Sequence, residues 1–105
     1  MNISSLGGLR PWADHAHYCA SKAGVIMLTR ALAKAFAPKV TVNSVAPGII
    51  PFGDPDDRVR RLIAKTPACR AGTADEIADA VVFFLTASNF ITGQVLAVDG
   101  GLSQK

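Results

Sequence analysis

Tyr18 and Lys22 stand four residues apart in the stretch Tyr18-Cys19-Ala20-Ser21-Lys22, and on a helix that spacing puts a phenol and an ammonium on one face. A free tyrosine, with a pKa of about 10, is a poor base at neutral pH, whereas a neighbouring cation favours the phenolate and brings proton transfer within reach. Ser5 offers a third group. It closes a strand-like entry, Asn2 to Ser5, ahead of the loop that leads to the helix, where a hydroxyl can hydrogen-bond a substrate carbonyl and stabilise developing negative charge. Ser5, Tyr18 and Lys22 would then converge on one reacting oxygen. Spacing alone does not establish this, because most tyrosine and lysine pairs so placed are solvated helix neighbours.

The elements that must position these groups can be read along the chain. Gly7, Gly8 and Pro11 break regular structure after the first strand. Asp14 is placed to cap a helix, and Val25, Leu28, Leu32 and Phe36 recur at three- and four-residue steps until Pro38 stops the pattern. Val40 to Val45 reads as a buried strand delivering a loop at Pro47-Gly48. Asp54-Pro55-Asp56-Asp57 opens a short helix with a capping carboxylate and a proline in its first turn. Thr73-Ala74-Asp75-Glu76 is a capping box, followed by Ile77, Ala80, Val81, Phe84 and Leu85 on one helix face. Val95 to Val98, closed by Asp99-Gly100-Gly101, is a last strand and turn. The order strand, helix, strand, two helices, strand predicts an α/β fold with about three parallel strands and crossover helices.

Four segments on these elements, taken together, are similar to the short-chain dehydrogenase/reductase family, in which N-x-S-S, Y-x-x-x-K, V-N-x-x-x-P-G and V-D-G-G occur in this order. Here they are Asn2 to Ser5, Tyr18 to Lys22, Val42 to Gly48 and Val98 to Gly101, with Phe90-Ile91-Thr92-Gly93-Gln94 fitting ahead of the last strand. The resemblance covers the whole chain and implies the C-terminal half of a Rossmann-like, doubly wound parallel sheet. It implies an NAD(P)-dependent oxidoreductase moving a hydride between NAD or NADP and a small carbonyl or alcohol substrate. Tyr18 would handle the proton, Lys22 would lower its pKa and hold the nicotinamide ribose, and Ser5 would orient the substrate. Ser5 is preferred to Ser4 because the family serine lies thirteen residues before the tyrosine, and a one-residue shift along a strand reverses a side chain's facing. The Pro47-Gly48 loop would pass the nicotinamide, with backbone near Ile50 at its carboxamide. Phe52 stands where many members carry a threonine, which removes one expected hydrogen bond to the cofactor.

The chain also lacks parts that the resemblance leads one to expect. No G-x-G pair occurs, so no glycine-rich turn is available to bring backbone amides against a pyrophosphate. Residues 1–105 are therefore expected to be the catalytic half alone, with the dinucleotide-phosphate-binding half, roughly 120 residues at ~30 per strand-helix unit, lying upstream in a larger gene. The first strand would then have an unpaired outer edge, so that the isolated chain aggregates, dimerises or binds a partner. A homo-oligomer, or association with a full-length relative, follows from the family. The alternative to an enzyme is a truncated, catalytically inactive chain that serves as an interaction or structural module.

Composition narrows the remaining possibilities. At 105 residues with 50% hydrophobic and 18% charged content, the chain is a single globular unit. Its net charge of +3 is not arranged with interleaved aromatics, so nucleic acid is not expected as a partner. No stretch approaches the ~20 apolar residues of a membrane span, and the opening residues do not form a signal sequence, so a cytoplasmic location is expected. Cys19 and Cys69 form no C-x-x-C, and no metal site is expected. His15 and His17 read as polar loop residues, with His17 able to line the substrate site. Trp12 either covers substrate or packs its loop. Arg58, Arg60, Arg61 and Lys65 read as a solvated helix face.

Overall fold

The structure, a computed structural model, describes residues 1–104. Three strands, β1 (Asn2–Ile3), β2 (Ser44–Pro47) and β3 (Val95–Val98), pair in parallel in the order β1-β2-β3. Asn2 lies opposite Ser44, Ile3 and Leu96 flank Val45, and Pro47 lies opposite Val98. Helix α1 (Ala16–Phe36) connects β1 to β2, and helices α2 (Asp57–Lys65) and α3 (Ala74–Thr86) connect β2 to β3.

Alternation of side chains along the strands assigns each helix to a face. Asn2 points towards α1, where its amide donates to the Thr29 hydroxyl at 2.9 Å. Val45 points the other way and packs with Ala80 and Phe84 of α3, joined at the margin by Ile77, Val81, Ile91 and Val98. The sheet is therefore covered on both sides, as the doubly wound expectation requires. Since the strands step across the sheet in one direction while α1 and α3 lie on opposite faces, the two crossovers differ in hand, and one departs from the usual right-handed rule.

Three local readings are corrected. The N-cap of α1 is His15 rather than Asp14, which belongs to a short 3-10 turn, Ala13–His15, ahead of the helix. The cap of α2 is Asp56 rather than Asp54, its carboxylate accepting from the Val59 N–H at 2.8 Å. The second strand is shifted towards the C-terminus: the Val40 N–H still bonds the Phe36 carbonyl and so finishes α1, and sheet pairing begins where Asn43 accepts from the Asn2 N–H. The capping box at Thr73 and Glu76 and the bounds of the last strand are as read.

Much of α1 stays uncovered. Its buried positions are Ile26, Thr29 and Ala33, whereas Met27, Leu28 and Phe36 are exposed. On α3, Val82, Phe83 and Leu85 are likewise exposed. Ser4, Ser44, Thr29 and Asn43 are buried, and each makes hydrogen bonds, as interior polar groups must.

Candidate active site

All three strands end at one edge of the sheet, and the groups singled out in the sequence sit there. At the end of β1 the two serines face differently. The Ser4 hydroxyl donates to the Val45 carbonyl at 3.2 Å and accepts from the Ser44 hydroxyl at 2.8 Å, which commits it to the interior of the sheet. The Ser5 hydroxyl accepts from the Gly7 N–H at 3.1 Å as the cap of a 3-10 turn, Leu6–Gly8. That bond uses an oxygen lone pair and leaves the Ser5 proton available to a further acceptor.

The turn lies directly against α1. A Cβ on Gly8 would fall 2.7 to 2.9 Å from backbone atoms of Lys22 and Ala23, so only glycine permits this approach. Lys22 reaches back over the end of β1, where its ammonium donates to the Ile3 carbonyl at 3.4 Å, and its nitrogen lies 5.8 Å from the centre of the Tyr18 ring. At the end of β2 the chain passes close to β3. The Gly48 N–H donates to the Val98 carbonyl at 3.0 Å, and a Cβ on Gly48 would meet the Asp99 Cα at 2.6 Å. Asp99 accepts from the Gly101 and Ser103 N–H groups at 2.9 and 2.8 Å. Partial burial pushes its carboxyl up, but these bonds outweigh burial and hold its pKa below the ordinary value.

Between these strand ends lies an open cleft of about 370 Å³ lined by Ser5, Tyr18, Lys22, Pro47, Gly48 and Ile50. These are the six residues that the sequence singled out, and they come from three separate segments of the chain. Phe52, 91% exposed, stands at the cleft mouth. Ile3 and Ser4 also border the cleft, and the sequence reading did not anticipate Ala74 and Ile77, which bring the first turn of α3 into the wall. The signal for them was the capping box, which fixes where that helix begins. A separate cavity of about 60 Å³ beside Ile49, Thr66 and Glu76 contains none of the six.

The remaining candidates lie outside the cleft wall. His17 is exposed, and His15 meets the Trp12 ring edge-on at 6.1 Å. Arg58 and Arg60 sit near Asp14 and Asp57 at 3.9 and 3.7 Å on a helix with no buried residue. No group of three histidine, cysteine or acidic residues that could hold a metal occurs among the described residues.

With this geometry in place, comparison with known proteins decides the family. The family model described as Enoyl-(Acyl carrier protein) reductase matches residues 1–103. The chain belongs to the short-chain dehydrogenase/reductase family. It is 41% identical to a 3-oxoacyl-(acyl-carrier-protein) reductase of Chlamydia muridarum, over 98% of this chain and 44% of that protein. It is 38% identical to an L-xylulose reductase of Caenorhabditis elegans, again over 98% and 44%. Among solved structures it superposes on 4-hydroxyisoleucine dehydrogenase complexed with NADH with a TM-score of 0.87 and 28% identity, over 99% of this chain and 45% of that one. The chain thus spans less than half the length of these relatives.

Proposed function

We propose that this chain is the catalytic half of a nicotinamide-dependent oxidoreductase acting on a small carbonyl or alcohol. The observation that carries this reading is the convergence of Ser5, Tyr18, Lys22, Pro47, Gly48 and Ile50 on one cleft. A flat heteroaromatic ring joined to a ribose suits that cleft, which is apolar at Ile3, Ile50, Ala74 and Ile77 and carries a hydroxyl, a phenol and an ammonium along one side. Those residues suit the nicotinamide end of NAD or NADP only. The chain offers no glycine-rich turn for the pyrophosphate.

When bound, the nicotinamide supplies or accepts the hydride at the substrate carbon. The side chains handle the oxygen. Tyr18 gives its phenolic proton to the carbonyl oxygen during reduction, or takes the alcohol proton during oxidation. Lys22 places positive charge on the same side of the helix, stabilising negative charge on the phenolic oxygen after the proton leaves, and holds the ribose hydroxyls. The Ser5 hydroxyl, keeping its proton, donates a hydrogen bond to the substrate oxygen, which fixes the substrate and offsets the charge that develops there. Pro47, Gly48 and the backbone near Ile50 form the wall for the nicotinamide.

The family and the chemistry extend to the setting. We assign the chain to the cytoplasm; no helix among the described residues is long and apolar enough to cross a membrane. The uncovered apolar residues of α1 and α3, Met27, Leu28, Phe36, Phe83 and Leu85, support assembly with a second copy or a full-length relative. The same exposed surface favours the second reading, an interaction module without turnover. Titrating NADH and NADPH separately, while following energy transfer from the single tryptophan to the reduced nicotinamide, separates the two. Saturable transfer that disappears in the double variant Tyr18→Phe, Lys22→Ala supports the enzyme. An unresponsive chain leaves only the module.

A further inference from the structure

We propose that Trp12 is the positioning residue for Tyr18, an inference that rests on the catalytic reading of the cleft and extends it. A proton-transferring phenol must present its oxygen at a fixed place, and hydrogen bonds commonly do this. Here none reaches the phenolic oxygen of Tyr18 among the described residues; the bond recorded at this residue joins its backbone carbonyl to the Ser21 hydroxyl. Packing must therefore set the ring.

The packing is specific. The indole of Trp12 lies parallel to the phenol, with 4° between the planes and 5.9 Å between centroids, an offset stack of the kind aromatic pairs favour. Gly7 closes the edge of the stack. A Cβ there would fall 3.0 and 3.2 Å from Tyr18 ring carbons and 3.4 Å from the Trp12 ring, so the missing side chain makes the room that both rings occupy. The Lys22 ammonium lies 5.8 Å from the ring centre.

Trp12 is itself anchored to the helix that carries Tyr18. Its backbone N–H donates to the Cys19 thiol at 3.4 Å, the thiol donates to the Arg10 carbonyl at 3.9 Å, and the Arg10 guanidinium donates to the Leu102 carbonyl at 2.7 Å. The backbone of Trp12 is thus tied to the residue next to Tyr18, and its loop is tied to the segment after β3. Trp12 does not line the cleft. It acts through Tyr18 by restricting the ring to one orientation within the cleft that Ser5 and Lys22 also line. Misplacement of a reacting group by about 1 Å costs up to ~10²-fold in rate, so this restraint bears directly on turnover.

Because Tyr18 is the only tyrosine, selective carbon-13 labelling of tyrosine followed by NMR relaxation reads this one ring in the full chain. Rigid backbone has an order parameter near ~0.85 and flexible segments fall below ~0.6, so the ring is compared with the α1 backbone of the same sample. The expectation is a rigid ring in the parent, a flexible ring in Trp12→Ala, and a ring closer to the parent in Trp12→Phe, with the α1 backbone ordered throughout. A flexible ring in the parent overturns the proposal without any variant, so a variant that fails to fold does not protect it. A ring as rigid in folded Trp12→Ala as in the parent also overturns it. In turnover assays Trp12→Ala should lower kcat by roughly 10- to 100-fold with the KM for cofactor unchanged, and Trp12→Phe should restore most of it; a rise in KM alone contradicts positioning. An ordered ring in a chain that never binds nicotinamide would sink the catalytic reading while leaving the packing intact.

Discussion

Replacing Gly8 by alanine should drive the loop after β1 away from α1 and, with it, Ser5 away from Tyr18 and Lys22. The added Cβ would start 2.7 Å from the Lys22 backbone carbon, 2.8 Å from its oxygen and 2.9 Å from the Ala23 nitrogen. All three are helix backbone atoms, which cannot swing aside as a side chain can. Reaching even a tight 3.4 Å contact requires the two elements to part by about 0.7 Å, since atoms at normal packing stand ~3.5–4.0 Å apart. Overpacking of this kind costs about 1–3 kcal/mol, a drop in Tm of roughly 5–20 °C for a chain of this size. Gly24→Ala is the control: nothing lies within 4 Å of its Cβ, and it sits inside the same helix, so it should stabilise by about 0.5–1 kcal/mol. Urea unfolding followed by far-UV circular dichroism and by the single tryptophan measures both. A Gly8→Ala chain with an unchanged midpoint and unchanged nicotinamide binding would refute the claim that this close approach sets the site.

Three further substitutions test the site and its surroundings. Ser4→Ala should cost about 1 kcal/mol by leaving the buried Ser44 hydroxyl only its long, 3.5 Å bond to the Val45 carbonyl, with unfolding as the measure and turnover little changed, whereas Ser5→Ala should lower turnover by ~10²-fold and, by removing the acceptor of the Gly7 N–H, also cost about 1 kcal/mol; a ~10²-fold loss in Ser4→Ala with Ser5→Ala turning over like the parent would show that the wrong serine was assigned. Glu76 should contribute to acid stability, in a share reduced by its exposure to solvent. The Arg70 guanidinium, at 2.6 Å, and then the Thr73 N–H hold its carboxyl at about 2, below the usual 4.5, so its stabilisation is full above pH ~4.5 and lost as the pH falls towards 2. Glu76→Gln should flatten the loss of stability across that window in urea titrations at stepped pH, and a profile identical to the parent would count against the pairing.

What was legible in the sequence was whatever depends on neighbours close along the chain. The capping box at Thr73 and Glu76 and the end of β3 at Asp99 are local hydrogen-bond devices, and both stand as read. Five of the six cleft residues lie in or beside short motifs whose order resembles the family's, and Ile50 follows the last residue of one of them by two positions. The buried face of α1 was not found, since apolar residues occupy most of its circumference, while the contact with the sheet runs through Ile26, Thr29 and Ala33. Thr29 looks like a surface residue, but its hydroxyl donates to the Val25 carbonyl and accepts from Asn2, so it is fully buried. The start of β2 was read too early because Val40, Thr41 and Val42 favour strands, yet Val42 is claimed by the Thr92 hydroxyl and the Gly93 N–H from far along the chain. Long-range contacts of that kind, like the stacking of Trp12 on Tyr18, leave no mark in the spacing of residues.

The most direct test of the account is a residue-resolved amide NMR titration of the nitrogen-15-labelled chain with NADH. The account predicts that the signals of Ser5, Tyr18, Lys22, Gly48 and Ile50 shift together with one dissociation constant, while those of Arg58, Arg61 and Lys65 on α2 stay in place. Shifts confined to α2, or Ser5 and Gly48 titrating independently of Tyr18, would contradict it.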